Sequence, residues 1–266
     1  MSAQRGRTPR RPELSQHFLR SGALASSLAA QTRISRHDLV VEIGPGRGAL
    51  TAALARRCRK LIAVELDSRL CGLLREQFRD DQHVSIVQGD FLRFGLPTAP
   101  YKVVGSIPFS HTAAIVRRLV DGPSSLSDAY LVTQHEAAHR FAGAPYAPES
   151  LPSLLLKPDW QVEIARRLRR TDFDPPPRVD TVVLWLARRT RPLVHKAERT
   201  CYKRFIESCF GQGGNTIRQC LRSTFTRAEI RRLGTDLRFP VDAPPSDLTF
   251  DQWLGLFRFS ALKRAR

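Results

Sequence analysis

The sequence of 266 residues predicts an α/β fold: a mostly parallel sheet finished by an antiparallel hairpin, then a small C-terminal helical domain. Three observations predict it. From Leu14 to about residue 150, short apolar runs alternate with amphipathic stretches, the pattern of β-α-β units in a covered parallel sheet. Two further strand-like runs follow, joined by the loop Thr171-Asp172-Phe173-Asp174-Pro175-Pro176-Pro177, which suits a hairpin. Beyond Arg191 the pattern is helical throughout.

In chain order, residues 1–13 hold Arg5, Arg7, Arg10 and Arg11 with almost nothing apolar, and read as a disordered basic arm. Strands are expected at Leu39–Ile43, Leu61–Glu65, Val84–Gln88, Tyr101–Ser106 and Ala129–Thr133. Helices are expected at Gly48–Cys58, Asp67–Phe78, His111–Val120 and Gln134–Phe141. Prolines 145, 148, 152 and 158 mark Ala142–Pro158 as an irregular connection. The hairpin strands are Gln161–Arg167 and Thr181–Leu186. Helices then fall at Glu198–Phe210, Asn215–Thr224, Arg227–Leu233 and Phe250–Leu262. The expected domains are the arm, an α/β domain over 14–190, and a helical domain over 191–266.

Composition narrows the function classes. With 42% hydrophobic and 26% charged residues, the chain can bury a sizeable core, which excludes full disorder. No apolar run approaches the ~20 residues of a membrane span. The N-terminus lacks the apolar core of a secretory signal. Five cysteines with no C-x-x-C pairing argue against a disulfide framework or zinc site and for a reducing cytoplasm. His135 and His139 share a helical face, but no third ligand accompanies them and no metal is expected. The net charge of +18 favours a polyanionic partner, most often nucleic acid. Residues 157–266 carry 23 basic and 12 acidic side chains, the denser share of that charge.

The cofactor signal is the run Glu42-Ile43-Gly44-Pro45-Gly46-Arg47-Gly48, which follows a strand and opens a helix. Glycines there let the backbone turn sharply and approach a ligand. Glu65, at the end of the next strand, is placed to hold a ribose diol. Asp90 and Phe91, after the strand that follows, are placed to meet an adenine amino group and ring. Singly, Glu65 and Asp90 are equally readable as a solvated strand end and a helix cap. The G-x-G-x-G spacing points away from a dinucleotide and towards S-adenosylmethionine.

The fourth strand ends in Ser106-Ile107-Pro108-Phe109. This resembles the [DNS]-[IP]-P-[YFW] strip of methyltransferases that act on exocyclic amino groups. The chain as a whole is similar to the erythromycin-resistance 23S rRNA adenine-N6 methyltransferases. The likeness rests on Ser15-Gln16-His17-Phe18-Leu19, the Glu42–Gly48 loop, Gly89-Asp90-Phe91-Leu92, the strip, Phe173, Arg178-Val179-Asp180, and Asp251–Phe257. The resemblance implies a Rossmann-like methyltransferase sheet, S-adenosylmethionine as cofactor, and methylation of one adenine in 23S rRNA that blocks macrolides, lincosamides and streptogramin B. Its cofactor residues map to His17, Leu19, Gly44, Gly46, Glu65, Asp90, Phe91 and Ser106. Its catalytic residues map to Ser106, Ile107, Pro108, Phe109 and Phe173, the last facing the target base from the side opposite the strip. An ordinary loop anchor is the other reading of Phe173.

An adenine amino group is a poor nucleophile because its lone pair is delocalised into the ring. Acceptors on its N–H bonds favour pyramidalisation and free that lone pair. The Ser106 and Ile107 carbonyls and the Ser106 hydroxyl are candidates, with Pro108 stiffening the turn and Phe109 stacking on a flipped-out base. The chain departs from the common pattern at His17 and Ser106, both of which replace an Asn, so the main-chain carbonyls carry more of the work.

For RNA contacts the candidates are Arg117 and Arg118 just after the strip, and Arg166, Arg167, Arg169 and Arg170. Clusters of this kind also occur as solvated faces. The expected protein is a cytoplasmic monomer that needs no obligate protein partner and no membrane. Two other readings stay open: a small-subunit 16S rRNA adenine dimethyltransferase of ribosome assembly, and a non-catalytic RNA-binding protein on the same fold.

Overall fold

The computed structural model describes residues 17–122, 125–211 and 214–264. The basic arm, Ser15 and Gln16 lie outside them. The first elements are β1 (Phe18–Leu19) and α1 (Gly22–Gln31), whose first turn is capped by the Ser21 hydroxyl. Then come β2 (Leu39–Ile43), α2 (Ala49–Ala55), β3 (Lys60–Glu65), α3 (Ser68–Gln77), β4 (Val84–Gln88), β5 (Tyr101–Ser106), α4 (Thr112–Asp121) and β6 (Leu126–Gln134). All five residues of β2 are buried, as a strand covered on both faces requires. The polar Asp67 caps α3 by accepting the Arg69 N–H.

After α5 (His135–Ala142) and α6 (Leu151–Leu156) the chain returns through β7 (Trp160–Leu168), β8 (Phe173–Asp174) and β9 (Thr181–Arg188). The large sheet runs β4-β3-β2-β5-β6-β9-β7, mostly parallel with antiparallel strands, as the sequence predicts. Ile43 lies opposite both Val64 and Gly105, and Glu65 opposite Gln88. That register brings the carboxyl ends of β2 to β5 to one edge.

Three local features depart from the sequence reading. Helix α1 was not anticipated, because its small residues make no clear apolar stripe. Helix α6 forms inside the expected irregular connection: Ser150 and Ser153 cap each other reciprocally, and Pro152 occupies the first turn, where its missing N–H is not needed. The loop around Phe173 contains β8, which pairs antiparallel with β1.

Clustering of the chain gives two compact units, one comprising residues up to 137 plus 165–184, the other 138–164 plus 185 onward. Residues 138–164 and 185–190, expected with the first domain, thus belong with the second. The reason is apolar: Leu154 is fully buried in one cluster with Val194, Tyr202, Phe205, Trp253 and Phe257, and the Tyr202 hydroxyl donates to the Leu154 carbonyl. The helices of that unit are α7 (Arg199–Gly211), α8 (Ile217–Leu221), α9 (Arg227–Asp236) and α10 (Phe250–Arg264). Helix α8 is shorter than expected, starting only after the Thr216 cap. Thr226 and Glu229 form a capping box on α9. Beside α6, the Lys157 ammonium meets the Glu149 carboxylate, and both side chains are at least nine-tenths buried. Among the described residues no helix is long and apolar enough to cross a membrane.

Candidate active site

The loop after β2 turns through three glycines with left-handed backbone: φ is +64° at Gly44, +59° at Gly46 and +79° at Gly48. All three also make close approaches, Gly48 to the Leu74 and Gln77 side chains of α3, each 3.0 Å from where its Cβ would be. A Cβ on Gly44 would sit 3.2 Å from the Ser106 carbonyl oxygen, and one on Gly46 would sit 2.7 Å from the Phe18 ring. The absent side chain at 44 therefore leaves the last carbonyl of β5 open at the edge of the glycine loop.

Glu65 closes the next wall. Its Oε2 accepts the Gly46 N–H at 3.0 Å and its Oε1 accepts the Asp67 N–H at 2.9 Å. Each oxygen keeps a further lone pair for a ligand hydroxyl. Burial pushes this carboxyl up, and the backbone hydrogen bonds from Asp67 and Gly46 pull back against it, leaving it raised. Asp90 accepts the Leu92 N–H at 2.8 Å through Oδ1, so it caps the short turn Phe91–Arg93 while lining the same cavity. The cavity, about 210 Å³, is walled by Ile43, Gly44, Val64, Glu65, Asp90 and Phe91 on one side and by Ser106 to Phe109 with His17 on the other. Carboxylates at two strand ends, an aromatic and a glycine cradle suit a nucleoside-bearing cofactor.

The strip is pinned from below. The Ile107 N–H donates to the Val132 carbonyl (3.1 Å), and the His111 N–H to that of Pro108 (2.9 Å). The Thr112 hydroxyl donates to the Phe109 carbonyl at 3.0 Å and lies 2.6 Å from the fully buried Thr133 hydroxyl. The Phe109 ring stacks against His17, with centroids 5.7 Å apart and planes 17° from parallel. His17 Nδ1–H in turn donates to the Pro175 carbonyl at 2.9 Å.

Phe173 is placed differently from the expectation. It is 0% exposed and held in β8 opposite Leu19, so it is the anchor of its loop and presents no open face to a base. The cause is the β1–β8 pairing, reinforced where Arg47 bonds Asp174 (3.0 Å) and lies 4.5 Å over the Phe18 ring. Of the RNA candidates, Arg117, Arg167, Arg169 and Arg170 are exposed, with Arg170 paired to Asp180 at 2.9 Å. Arg118 is half-buried and donates to the Phe94 carbonyl, and Arg166 is held by the Ser27 hydroxyl of α1 at 2.9 Å. These two are structural ties.

The sequence names Glu42 only as the start of the glycine-loop run, with no role of its own, and gives no hint of Thr112 and Thr133. Glu42, 1% exposed on β2, lines a small cavity with Gly44, Gly46 and Ser106, and among the described residues neither carboxylate oxygen has a hydrogen-bond partner. Burial pushes its carboxyl up to about 8. A lone acid within an apolar strand run was its only signal. The two threonines carried none.

The ribosomal RNA adenine dimethylase family model matches residues 8–260. The chain belongs to that family. It is accordingly a methyltransferase, with the Rossmann-like sheet of that enzyme class. The chain is 36% identical over 258 residues to an rRNA adenine N-6-methyltransferase of Streptomyces fradiae, covering 96% of this chain and 80% of the relative. It is 33% identical over 222 residues to a ribosomal RNA small subunit methyltransferase A of Geobacter sulfurreducens, covering 80% of each. Among solved structures, the 23S rRNA methyltransferase ErmE superposes with a TM-score of 0.85 at 30% identity, covering 91% of this chain and 98% of that one.

Proposed function

We propose that the protein methylates N6 of one adenine in 23S rRNA, with S-adenosylmethionine as donor, and that this confers macrolide-lincosamide-streptogramin B resistance. The observation that carries the chemistry is the approach of the Ser106 carbonyl to Gly44, which sets an amino-group acceptor at the rim of the cofactor cradle. The choice of 23S rRNA is supported by the likeness to the Streptomyces fradiae methyltransferase and to ErmE.

In this reading Glu65 accepts from the ribose hydroxyls, Asp90 from the adenine amino group through Oδ2, and Phe91 lies against that ring, while His17, Leu19 and Gly46 shape the rest of the cradle. The cofactor supplies a methyl group already activated on a sulfonium. The chain's own work is therefore positioning and electrostatics rather than strong base catalysis. The carbonyls of Ser106 and Ile107 and the Ser106 hydroxyl accept the N6 hydrogens of the target and turn its lone pair outward. Pro108 and the Thr112–Thr133 pair hold those carbonyls still, and Phe109 stacks on the base. Arg117, Arg167, Arg169 and Arg170 meet RNA phosphates, and residues 191–266 add further basic surface. The protein acts as a cytoplasmic monomer.

The test is methyl transfer from labelled S-adenosylmethionine to protein-free 23S rRNA and, separately, to 30S subunits, followed by mapping of the modified base. Label at one adenine of 23S rRNA is expected. Label confined to the 30S sample would assign the chain to the small-subunit branch, whose Geobacter sulfurreducens relative is nearly as similar.

A further inference from the structure

The amino-terminal edge of the sheet, opposite the cradle, carries its own concentration of charge. Residues 33–37 and 56–60 contain six arginines and lysines (Arg33, Arg36, Arg56, Arg57, Arg59 and Lys60) and no acid, and all six side chains are exposed. The two segments are stitched side by side: the N–H groups of Arg59 and Lys60 both donate to the Asp38 carbonyl, and Arg59 Nε–H donates to that of His37. The nearest acid, Asp38, is already engaged, by Lys102 at 3.0 Å and by Ser35. Its carboxyl is accordingly held below the usual range, the hydrogen bonds outweighing its burial.

Between these segments and α1 opens a cavity of about 420 Å³, lined by Ser26, Ser35, Arg36, Arg56 and Arg57 over the apolar floor of Ile34 and Ala53. Among the described residues no carboxylate pairs with Arg36, Arg56 or Arg57. The end of α2 accounts for part of this, since cations are favourable beside helix carbonyls. It does not account for Arg36, which comes from a different segment, or for the concavity.

We propose that this edge is a second docking site, one that takes backbone phosphates of the rRNA outside the stem-loop carrying the target base. The proposal rests on the rRNA substrate proposed above. Strands β2 and β3 are five and six residues long, so at ~3.3 Å per residue the patch lies about 15–20 Å from the glycine loop. That is too far for the nucleotide held at Phe109 and within reach of a helix flanking it. Guanidinium forks facing a concave wall with two serine hydroxyls match phosphate oxygens, and phosphate contacts position an RNA without reading its sequence.

The experiment compares Arg36→Gln/Arg56→Gln/Arg57→Gln with the unmodified protein on two RNAs: full-length 23S transcript and a short hairpin bearing the target adenine. The expected result is a KM for the long transcript raised at least tenfold, with a salt slope reduced by about 2 to 3 for three lost phosphates. Both kcat and the KM for the hairpin stay unchanged. Equal effects on the two RNAs, or none on either, overturn the proposal. Arg57→Glu alone, whose guanidinium makes no hydrogen bond among the described residues, shows the same split in a smaller degree. If the unmodified protein methylates neither RNA, the proposed function fails on its own. Filter binding of the same RNAs then decides the docking site: a loss confined to the long transcript supports it, and equal binding by variant and parent overturns it.

Discussion

Replacing Glu42 by Gln should make the protein's stability less dependent on pH, by an amount the structure sets. The carboxyl sits on β2 between Ala63 of β3 and Val104 of β5, 1% exposed, with no hydrogen-bond partner on either oxygen among the described residues. Desolvation is the main cause of its raised value of about 8, against an ordinary 4.5; the Glu65 charge adds to it, and Thr51 opposes it. The folded protein therefore keeps this proton between pH 4.5 and 8 while the unfolded chain releases it. With more protons bound in the folded state, stability falls as pH rises through that window. Each pH unit inside it costs a little over ~1 kcal/mol, so from pH 5.5 to 7.5 the parent loses roughly 2–3 kcal/mol that the glutamine variant does not lose. Urea unfolding of both proteins at the two pH values measures this, because all other titrating groups cancel in the difference between them. A variant-minus-parent difference that is the same at both pH values would show that Glu42 is ionised in the fold, and the argument from its burial would be wrong.

Four other outcomes are expected. Gly44→Ala places a Cβ 3.2 Å from the Ser106 carbonyl at a left-handed backbone costing about 1–2 kcal/mol, so initial rates should fall more than tenfold and cofactor titration should weaken with them. Ser106→Asn should leave methyl transfer intact or raise it; a hundredfold loss of incorporated label would exclude the carbonyls as the main acceptors. Thr133→Val removes the 2.6 Å contact to Thr112 and should cost about 1–3 kcal/mol of stability, lowering kcat while the cofactor Kd stays constant. Lys157→Met strands the buried Glu149 and should cost about 3–5 kcal/mol in thermal or urea unfolding, most of it recovered when Glu149→Gln is added.

Strands were legible where both faces are covered. Leu39–Ile43 and Tyr101–Ser106 are bounded in the structure where the apolar runs begin and stop, because an interior parallel strand writes its burial into most of its residues; Val84–Gln88, at the sheet edge, is only half-buried and was marked by its Val and Ile residues alone. Helix α1 was not legible, since Ala and Ser satisfy a buried face without the contrast that makes a stripe, and α6 was hidden by Pro152 in the one turn that tolerates it. The strand-end positions of Gly44, Gly46, Glu65 and Asp90 were legible, and the structure brings the four around one cavity. Phe173 misled because its burial is set by β1, more than 150 residues earlier, and a loop sequence carries no record of such a pairing. Arg118 and Arg166 misled for a related reason: arginine charge is visible in a sequence, but the carbonyl or hydroxyl that captures it is not.

The position of β2 has one more consequence. It has β3 and β4 on one flank and β5 on the other, so the chain's winding reverses at this strand and opens a crevice above it. Glu65 and Asp90 line its β3 side, and Ser106 to Phe109 line its β5 side. Both flanks line the same cavity, so substitutions on one should couple with those on the other rather than simply add. The coupling is most direct at the glycines: the missing Cβ of Gly44 faces the Ser106 carbonyl, and that of Gly105 faces the Ile43 carbonyl. A change in one half of the crevice must therefore be answered in the other, first of all where a glycine leaves room for a carbonyl of the neighbouring strand.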